Sequence, residues 1–143
     1  MSTSSAVVVV AMQDTSTDRI SAALATGGLI DITTTGRSTG KPHRVELGFH
    51  NLDGELYITG RPGRTRDWLA NLRVNPNFVF HLKRGVNADL PATAEEITDS
   101  QKREKVLRRI MIERWNNPIS KVDHIIDRWV SGAPLIKVEV QTG

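Results

Sequence analysis

The stretch TTTGRSTGKPHRVEL, residues 33–47, links two β-like segments through a loop that contains two glycines and three basic residues. Upstream, LIDITTT (29–35) is rich in β-branched residues, and downstream HRVELGFH (43–50) alternates apolar and polar side chains. These patterns predict two strands, the second with one buried face. A hairpin turn needs only one or two special residues. The extra basic residues therefore indicate a loop that holds a negatively charged ligand.

Outward from this hairpin, the sequence divides into short strands and four helices, with Asp53-Gly54 as a tight turn. We expect helices over 14–25, 65–74, 99–115 and 121–132, and further strands over 55–60, 77–83, 85–97 and 134–140. Thr65 and Ser120 are the expected caps of the second and fourth helices, and Pro91 is expected to interrupt a strand. Short strands with hairpin connections favour an α+β fold, a small antiparallel barrel with attached helices, over a parallel βαβ sheet. We predict one domain over 14–143, preceded by a tail or edge strand over 1–13.

Composition excludes several classes of site. The 143-residue chain has no cysteine, and its four histidines form no metal-binding pair, so we expect no metal site. The apolar run AVVVVAM (6–12) is too short to span a bilayer and lacks a preceding basic region. We therefore expect a cytoplasmic protein without an integral membrane segment.

Positive charge is concentrated in the middle of the chain. Residues 37–84 carry nine Lys or Arg against four Asp or Glu, whereas the remainder carries ten against twelve. Two loops hold much of this charge, GRSTGK (36–41) and RPGRTRDW (61–68). The second runs into a predicted helix whose N-terminal N–H groups favour a phosphate or carboxylate. Both loops are expected at one barrel end, where they would grip one anionic ligand; the alternative is a set of solvated arginines.

Three segments, TTTGRSTGKPHRVEL, DGELYITG and RDWLANLRVNP, together resemble the deazaflavin (F420)-dependent nitroreductase family. The resemblance runs in register from Leu29 to Leu82. It implies a split β-barrel related to pyridoxamine-phosphate oxidases and the cofactor coenzyme F420, a deazaflavin with a phosphate and an oligoglutamate tail. By position, the implied cofactor-binding residues are Arg37, Ser38, Thr39, Lys41, His43, Arg44, Val45, Glu46, Leu47, Gly48, Thr59, Gly60, Arg61, Pro62, Arg64, Arg66, Asp67, Trp68 and Asn71.

The resemblance also implies a division of labour in which the cofactor supplies the hydride and the protein supplies orientation and electrostatics. The five cations of the two loops would hold the phosphate and tail, while the strand backbone over 44–47 would lie against the ring. No catalytic side chain is expected. The implied activity is hydride transfer from reduced F420 to a small unsaturated, quinone or nitro acceptor.

The acceptor side departs from the family pattern. Nitroreducing members place tyrosines in the C-terminal segment, whereas RWNNPISKVDHIIDRW (114–129) contains none. Trp115, Trp129, His124 or Ser120 would line the acceptor pocket instead, although both tryptophans also suit a hydrophobic core.

Other functions stay open from sequence alone. The same fold with FMN, FAD or haem is the main alternative, although an oligoglutamate tail needs more cations than FMN does. A non-enzymatic cofactor- or lipid-binding barrel is a second alternative. Nucleic-acid binding is disfavoured, because aromatic residues make up only 5% of the chain and form no basic-aromatic stripe. The acceptor's identity and the choice between monomer and homodimer cannot be predicted.

Overall fold

The computed structural model describes residues 16–141. The predicted tail over 1–13, and the first residues of the first predicted helix, lie outside the described residues. The helices are α1 over 16–26, α2 Asp67–Val74, α3 Ser100–Arg109 and α4 Ile119–Gly132, and a π-helical turn, Ile110–Arg114, extends α3. The strands are β1 Gly28–Thr35, β2 Pro42–Leu52, β3 Glu55–Thr59, β4 Asn77–Leu82, β5 Ala88–Glu96 and β6 Leu135–Val140.

The six strands form a closed antiparallel barrel in the order β1-β2-β3-β6-β5-β4. The β1–β2 register pairs Ile32 with Val45, and β1 also pairs with β4, with Ile32 opposite Phe80, which closes the barrel. The β2–β3 hairpin turns at Asp53 and Gly54, whose φ values of 55° and 90° are left-handed. The predicted antiparallel barrel with peripheral helices is confirmed.

The barrel interior follows from the two-residue period of its strands. Ile30, Ile32 and Ile58 are fully buried, and Phe49 meets Phe80 edge to face with ring centroids 5.0 Å apart. Trp68 and Leu69 of α2 pack against this cluster from one end of the barrel. The first basic loop therefore leaves a strand that is anchored by its buried face.

A second core lies between the outside of the barrel and helices α3 and α4. Leu107, Ile110 and Met111 from the α3 segment pack there with Val122 of α4 and Leu135 of β6, all fully buried. This cluster fixes α4 across the outer surface of the barrel.

Arg103 of α3 ties the end of α4 into this second core. The residue is only 8% exposed, and its guanidinium donates to the carbonyls of Val130 and Ile97, both at 2.8 Å, and of Ala133. The guanidinium thus satisfies two carbonyls at the C-terminal end of α4 and one carbonyl, that of Ile97, between β5 and α3.

The predicted helix over 99–115 is interrupted by the π-helical turn. The N–H of Trp115 donates to the Ile110 carbonyl at 3.0 Å, five residues back. In a regular α-helix, a residue five positions further along is rotated by about 500° around the helix axis, which is about 140° beyond one full turn. The π turn instead places Trp115 one turn above Ile110.

Three local predictions are wrong. Thr65 does not cap α2, because the chain stays extended through Arg66 and the helix opens at Asp67, where an acidic group suits the dipole. Ser120 does not cap α4, because Pro118 is the cap residue and needs no N–H partner there. Pro91 does not interrupt β5, because it faces Gln141, the residue directly after β6, so its missing N–H falls at the very end of the β5–β6 pairing. The Pro91 carbonyl still accepts from the Gln141 N–H at 2.8 Å.

Candidate functional site

The two basic loops lie at the same end of the barrel. Strands β1 and β3 both pair antiparallel with β2, so the loops over 36–41 and 60–66 follow parallel strands at one end. Helix α2 continues directly from the second loop. The topology therefore confirms the prediction that both loops lie at one end of the barrel.

Asn71 of α2 joins the first loop to the barrel. Its side chain is 1% exposed, and its Oδ1 accepts hydrogen bonds from the Arg37 backbone N–H at 3.1 Å and from Arg37 Nη1 at 2.9 Å. Its Nδ2 donates to Thr34 Oγ1 at 3.1 Å, and Arg37 also pairs with Asp67 at 3.3 Å. Strand, loop and helix thereby fix the position of the Arg37 guanidinium.

The first loop turns tightly within itself. The Gly36 N–H donates to the Lys41 carbonyl at 2.7 Å, and the Gly40 N–H donates to the Gly36 carbonyl at 2.8 Å. A Cβ at Gly36 would lie 2.7 Å from His43 Nε2, so the imidazole packs over this glycine and would have to move for any larger residue. Ser38, Thr39, Lys41 and His43 are exposed around the loop.

In the second loop, the side chain of Arg66 packs directly against the backbone of Gly60. A Cβ at Gly60 would lie 2.6 Å from Nη2 of Arg66, so the guanidinium packs over this glycine. Arg66 is half-buried, and its Nη1 donates a long hydrogen bond of 3.4 Å to the Arg64 carbonyl. Burial lowers the pKa of Arg66, and the neighbouring Arg64 lowers it further. Among residues 16–141, Arg66 forms no salt bridge, so a bound anion would supply the missing counter-charge.

A cleft of about 380 Å³ opens between this loop, the π turn and α4. The indole rings of Trp115 and Trp129 form its aromatic wall, edge to face with centroids 5.5 Å apart. Its other lining residues are Gly60, Arg61, Met111, Asn117, Lys121 and Ile125. An adjoining groove of about 660 Å³ shares Arg61, Lys121, Ile125 and Trp129 and adds Pro62, Gly63, Arg128, Ser131 and Gly132.

Packing between the loop and the end of α4 fixes the shape of this cleft. Thr59 Oγ1 donates to the Pro134 carbonyl at 2.5 Å. A Cβ at Gly132 would lie 3.1 Å from Pro62 Cβ, so the helix end and the loop are in close contact. Together with the bonds from Arg103, these contacts hold the cleft wall to the barrel.

His50 supports the aromatic wall from behind. Its ring lies 5.5 Å from Trp115, centroid to centroid, on the outer side of β2. Burial lowers the pKa of His50, and the nearby Arg114 lowers it further, so the ring is neutral at pH 7. Sequence reasoning assigned no role to His50, because the adjacency depends on the π turn.

The predicted residues of β2 divide between two faces. Val45 and Leu47 pack toward the barrel interior, so only their backbone would be available to a ligand. Arg44 pairs with Asp31 at 2.9 Å, and Lys83 bonds both Asp31, at 2.8 Å, and Glu46. These bonds lower the pKa of Asp31, that from Lys83 most strongly. Gly48 is half-buried on the same strand.

Of the four residues proposed for the acceptor pocket, the two tryptophans line the cleft. Trp115 is 37% exposed, while Trp129 is 8% exposed and belongs to the second core as well. Ser120 and His124 are exposed on α4 and are absent from the cleft lining. Trp129 therefore belongs to the core and lines the cleft at the same time.

No helix within 16–141 has the length and apolar character needed to span a bilayer. Over the same residues, no group of three or more His, Asp or Glu side chains is arranged to hold a metal ion.

Comparison with known proteins gives one family and one fold. A family model for the F420H(2)-dependent quinone reductases matches residues 6–130. The similar solved structures include a conserved hypothetical protein from Mycobacterium tuberculosis, with 16% identity, TM-score 0.65, and coverage of 85% of this chain and 78% of that one. An F420-H2 dependent reductase has 21% identity, TM-score 0.55, and coverage of 78% and 94%. A candidate pyridoxamine 5'-phosphate oxidase from Listeria innocua has 16% identity, TM-score 0.56, and coverage of 89% and 98%. The fold is thus the split barrel of the pyridoxamine-phosphate-oxidase type.

Proposed function

Because the chain belongs to the F420H(2)-dependent quinone reductase family, we propose that it passes a hydride from reduced coenzyme F420 to a planar quinone. It is an oxidoreductase and its cofactor is coenzyme F420, as in the rest of the family. The cleft between Trp115 and Trp129 carries the proposal for the acceptor, because two indoles at 5.5 Å present aromatic surface to a flat ring. A nitro compound or another small unsaturated acceptor would enter the same cleft.

The residues at the barrel end fit the charge of the cofactor. Coenzyme F420 carries a phosphate and several carboxylates, and the two loops supply five cations: Arg37, Lys41, Arg61, Arg64 and Arg66. Within residues 16–141, only Arg37 of these five forms a salt bridge, with Asp67. The loops therefore retain uncompensated positive charge for an anionic ligand. FMN, with one phosphate, would need fewer of these cations.

The remaining predicted residues would act as supports or as polar contacts. Asn71 and Asp67 would hold Arg37 in place, and Gly60 would let Arg66 lie close to the backbone. Ser38, Thr39 and His43 surround the first loop and would contact the cofactor from its exposed side. Trp68 would anchor α2 on the barrel.

The protein's part in the reaction would be placement and exclusion of water. When bound, the cofactor supplies the hydride. Arg61 lies in the second basic loop and also lines the cleft, so the proposed cofactor and acceptor sites would share a wall. The indoles would orient the acceptor ring, and holding two reactants in one geometry lowers the entropic part of the barrier.

The first test is a fluorescence titration of the purified protein with coenzyme F420 beside FMN at the same ionic strength. We expect saturable F420 binding that weakens as salt rises, because exposed charges are screened. Lys41→Gln and Arg61→Gln should each weaken F420 binding several-fold. Lys105→Gln, an exposed lysine on α3 away from both loops, is the matched control and should bind as the wild type does.

The second test follows the reoxidation of reduced F420 by absorbance with menadione as acceptor. Steady-state turnover that depends on the protein would support the proposal. Tight F420 binding without turnover of any quinone, nitro or unsaturated acceptor would refute the proposed reaction. Equal weakening by Lys41→Gln and Lys105→Gln would refute the placement of the cofactor.

A further inference from the structure

One face of α4 presents cations to the acceptor cleft. Lys121 and Arg128 are seven residues apart, or about two helical turns, so both lie on one side of the helix. Lys121 lines both the cleft and the adjoining groove, and Arg128 lines the groove. Ile125 lies between Lys121 and Arg128 on this face, and Trp129 lies next to Arg128.

These two cations have no carboxylate to neutralise them. No Asp or Glu lines either the cleft or the groove. Within residues 16–141, neither Lys121 nor Arg128 forms a salt bridge. On the neighbouring surface, by contrast, Arg108 of α3 is paired with Asp123 of α4 at 2.6 Å. Both acidic residues of α4, Asp123 and Asp127, act on Arg108 on the far face of the helix, so the cleft face stays positive.

We propose that Lys121 and Arg128 form an anion subsite at the mouth of the cleft, and that the acceptor is a planar aromatic compound that carries a carboxylate. This inference rests on the proposed function and names the substrate class of the same site. The ring would lie against Trp115 and Trp129, and the acid group would reach the cations along α4.

The arrangement suits a carboxylate for geometric reasons. An arginine fork makes two parallel hydrogen bonds to a carboxylate, and a lysine adds a flexible point charge. Lys121 and Arg128 are themselves exposed, but Ile125 and Trp129 give the subsite an apolar side, so water would reach an ion pair there less freely than one on an open surface. A neutral quinone would contact the indoles of Trp115 and Trp129 but would gain no binding affinity from the charges of the subsite.

The test uses two probes that share one ring: menadione with a propionate side chain, and the methyl ester of the same compound. Their binding to the full-length, cofactor-free protein is measured by quenching of tryptophan fluorescence. We expect the acid to bind about tenfold more tightly than the ester, as is typical of a hydrogen-bonded charge. The double variant Lys121→Gln/Arg128→Gln should reduce this acid-to-ester ratio to about one. The control Lys102→Gln/Lys105→Gln changes two lysines that line a different pocket and should keep the ratio.

Three outcomes would overturn the inference: equal binding of acid and ester, a ratio that survives in the Lys121/Arg128 variant, or a ratio lost equally in the control. The affinity of the same variants for coenzyme F420 is measured in parallel. A loss of F420 affinity without a change in the acid-to-ester ratio would assign these cations to the cofactor tail and overturn the proposal. Because the ratio is measured without cofactor or turnover, failure of the reductase reaction is detected separately.

Discussion

Replacement of Arg103 by methionine should destabilise the protein far more than replacement of a paired arginine on the surface of the same helix. The Arg103 guanidinium bonds the buried carbonyls of Ile97 and Ala133 and the half-buried carbonyl of Val130. A methionine keeps most of the apolar stem but leaves these acceptors without donors.

The size of the effect follows from the number of buried acceptors. A buried acceptor without a partner costs about 1–3 kcal/mol, so two of them cost about 4 kcal/mol, and the Val130 carbonyl adds less because water reaches it. For a chain of this size the melting temperature should fall by roughly 10–15 °C. Arg103→Lys should be intermediate, since an ammonium keeps the charge but cannot reach all three carbonyls.

The measurement is urea unfolding at pH 7, followed by circular dichroism and tryptophan fluorescence. Arg108→Met is the matched control, because Arg108 lies on α3 but forms an exposed pair with Asp123. If Arg103→Met and Arg108→Met lowered the free energy of unfolding equally, the carbonyl bonds would not be the source of the stability.

Two further predictions concern the site. Gly60→Ala should displace the Arg66 guanidinium, which would otherwise lie 2.6 Å from the new Cβ; F420 affinity in the titration should fall while the melting temperature changes little, and unchanged affinity would remove Arg66 from the cofactor site. Burial lowers the pKa of His50 in the folded protein below its unfolded value of about 6.5, so the unfolded chain binds more protons and stability should fall as the pH drops below that value. His50→Gln should flatten the slope of unfolding free energy between pH 7 and pH 5, and an unchanged slope would assign the proton uptake to another group.

The barrel could be predicted from sequence because its signals are local. Alternation in β2 and the Asp53-Gly54 turn depend on neighbouring residues, and the structure places both as expected. The resemblance predicted Arg37 and Asn71 as site residues, but the bonds between them join positions 34 apart, and no spacing rule predicts such a contact. The two cap predictions were wrong because residue type alone does not determine a helix cap. The path of the chain into the helix decides which residue occupies the cap position.

The cleft proposed for the acceptor was the least predictable part of the site. Trp115 reaches the cleft because of the π turn, and nothing in the pattern of residues 99–115 marks where one α-helical turn widens. Trp129 fits a core position by periodicity, and its second role as a cleft wall depends on how the loop at Gly60 approaches α4. The contact between this loop and α4 forms only when the chain folds, so no local sequence pattern predicts it.

Because of the π turn, the number of residues between Ile110 and Arg114 decides whether Trp115 faces the proposed acceptor cleft. Such turns act as single-residue insertions in an α-helix. Removing one residue between Ile110 and Arg114 would restore regular winding and rotate Trp115 around the helix axis, away from Trp129, with both indoles still encoded. A single insertion or deletion in this short segment would then change the position of Trp115 in the proposed acceptor cleft. A point substitution would leave the winding of the helix, and so that position, unchanged. Libraries built to change the acceptor should therefore vary the number of residues here before varying their identity.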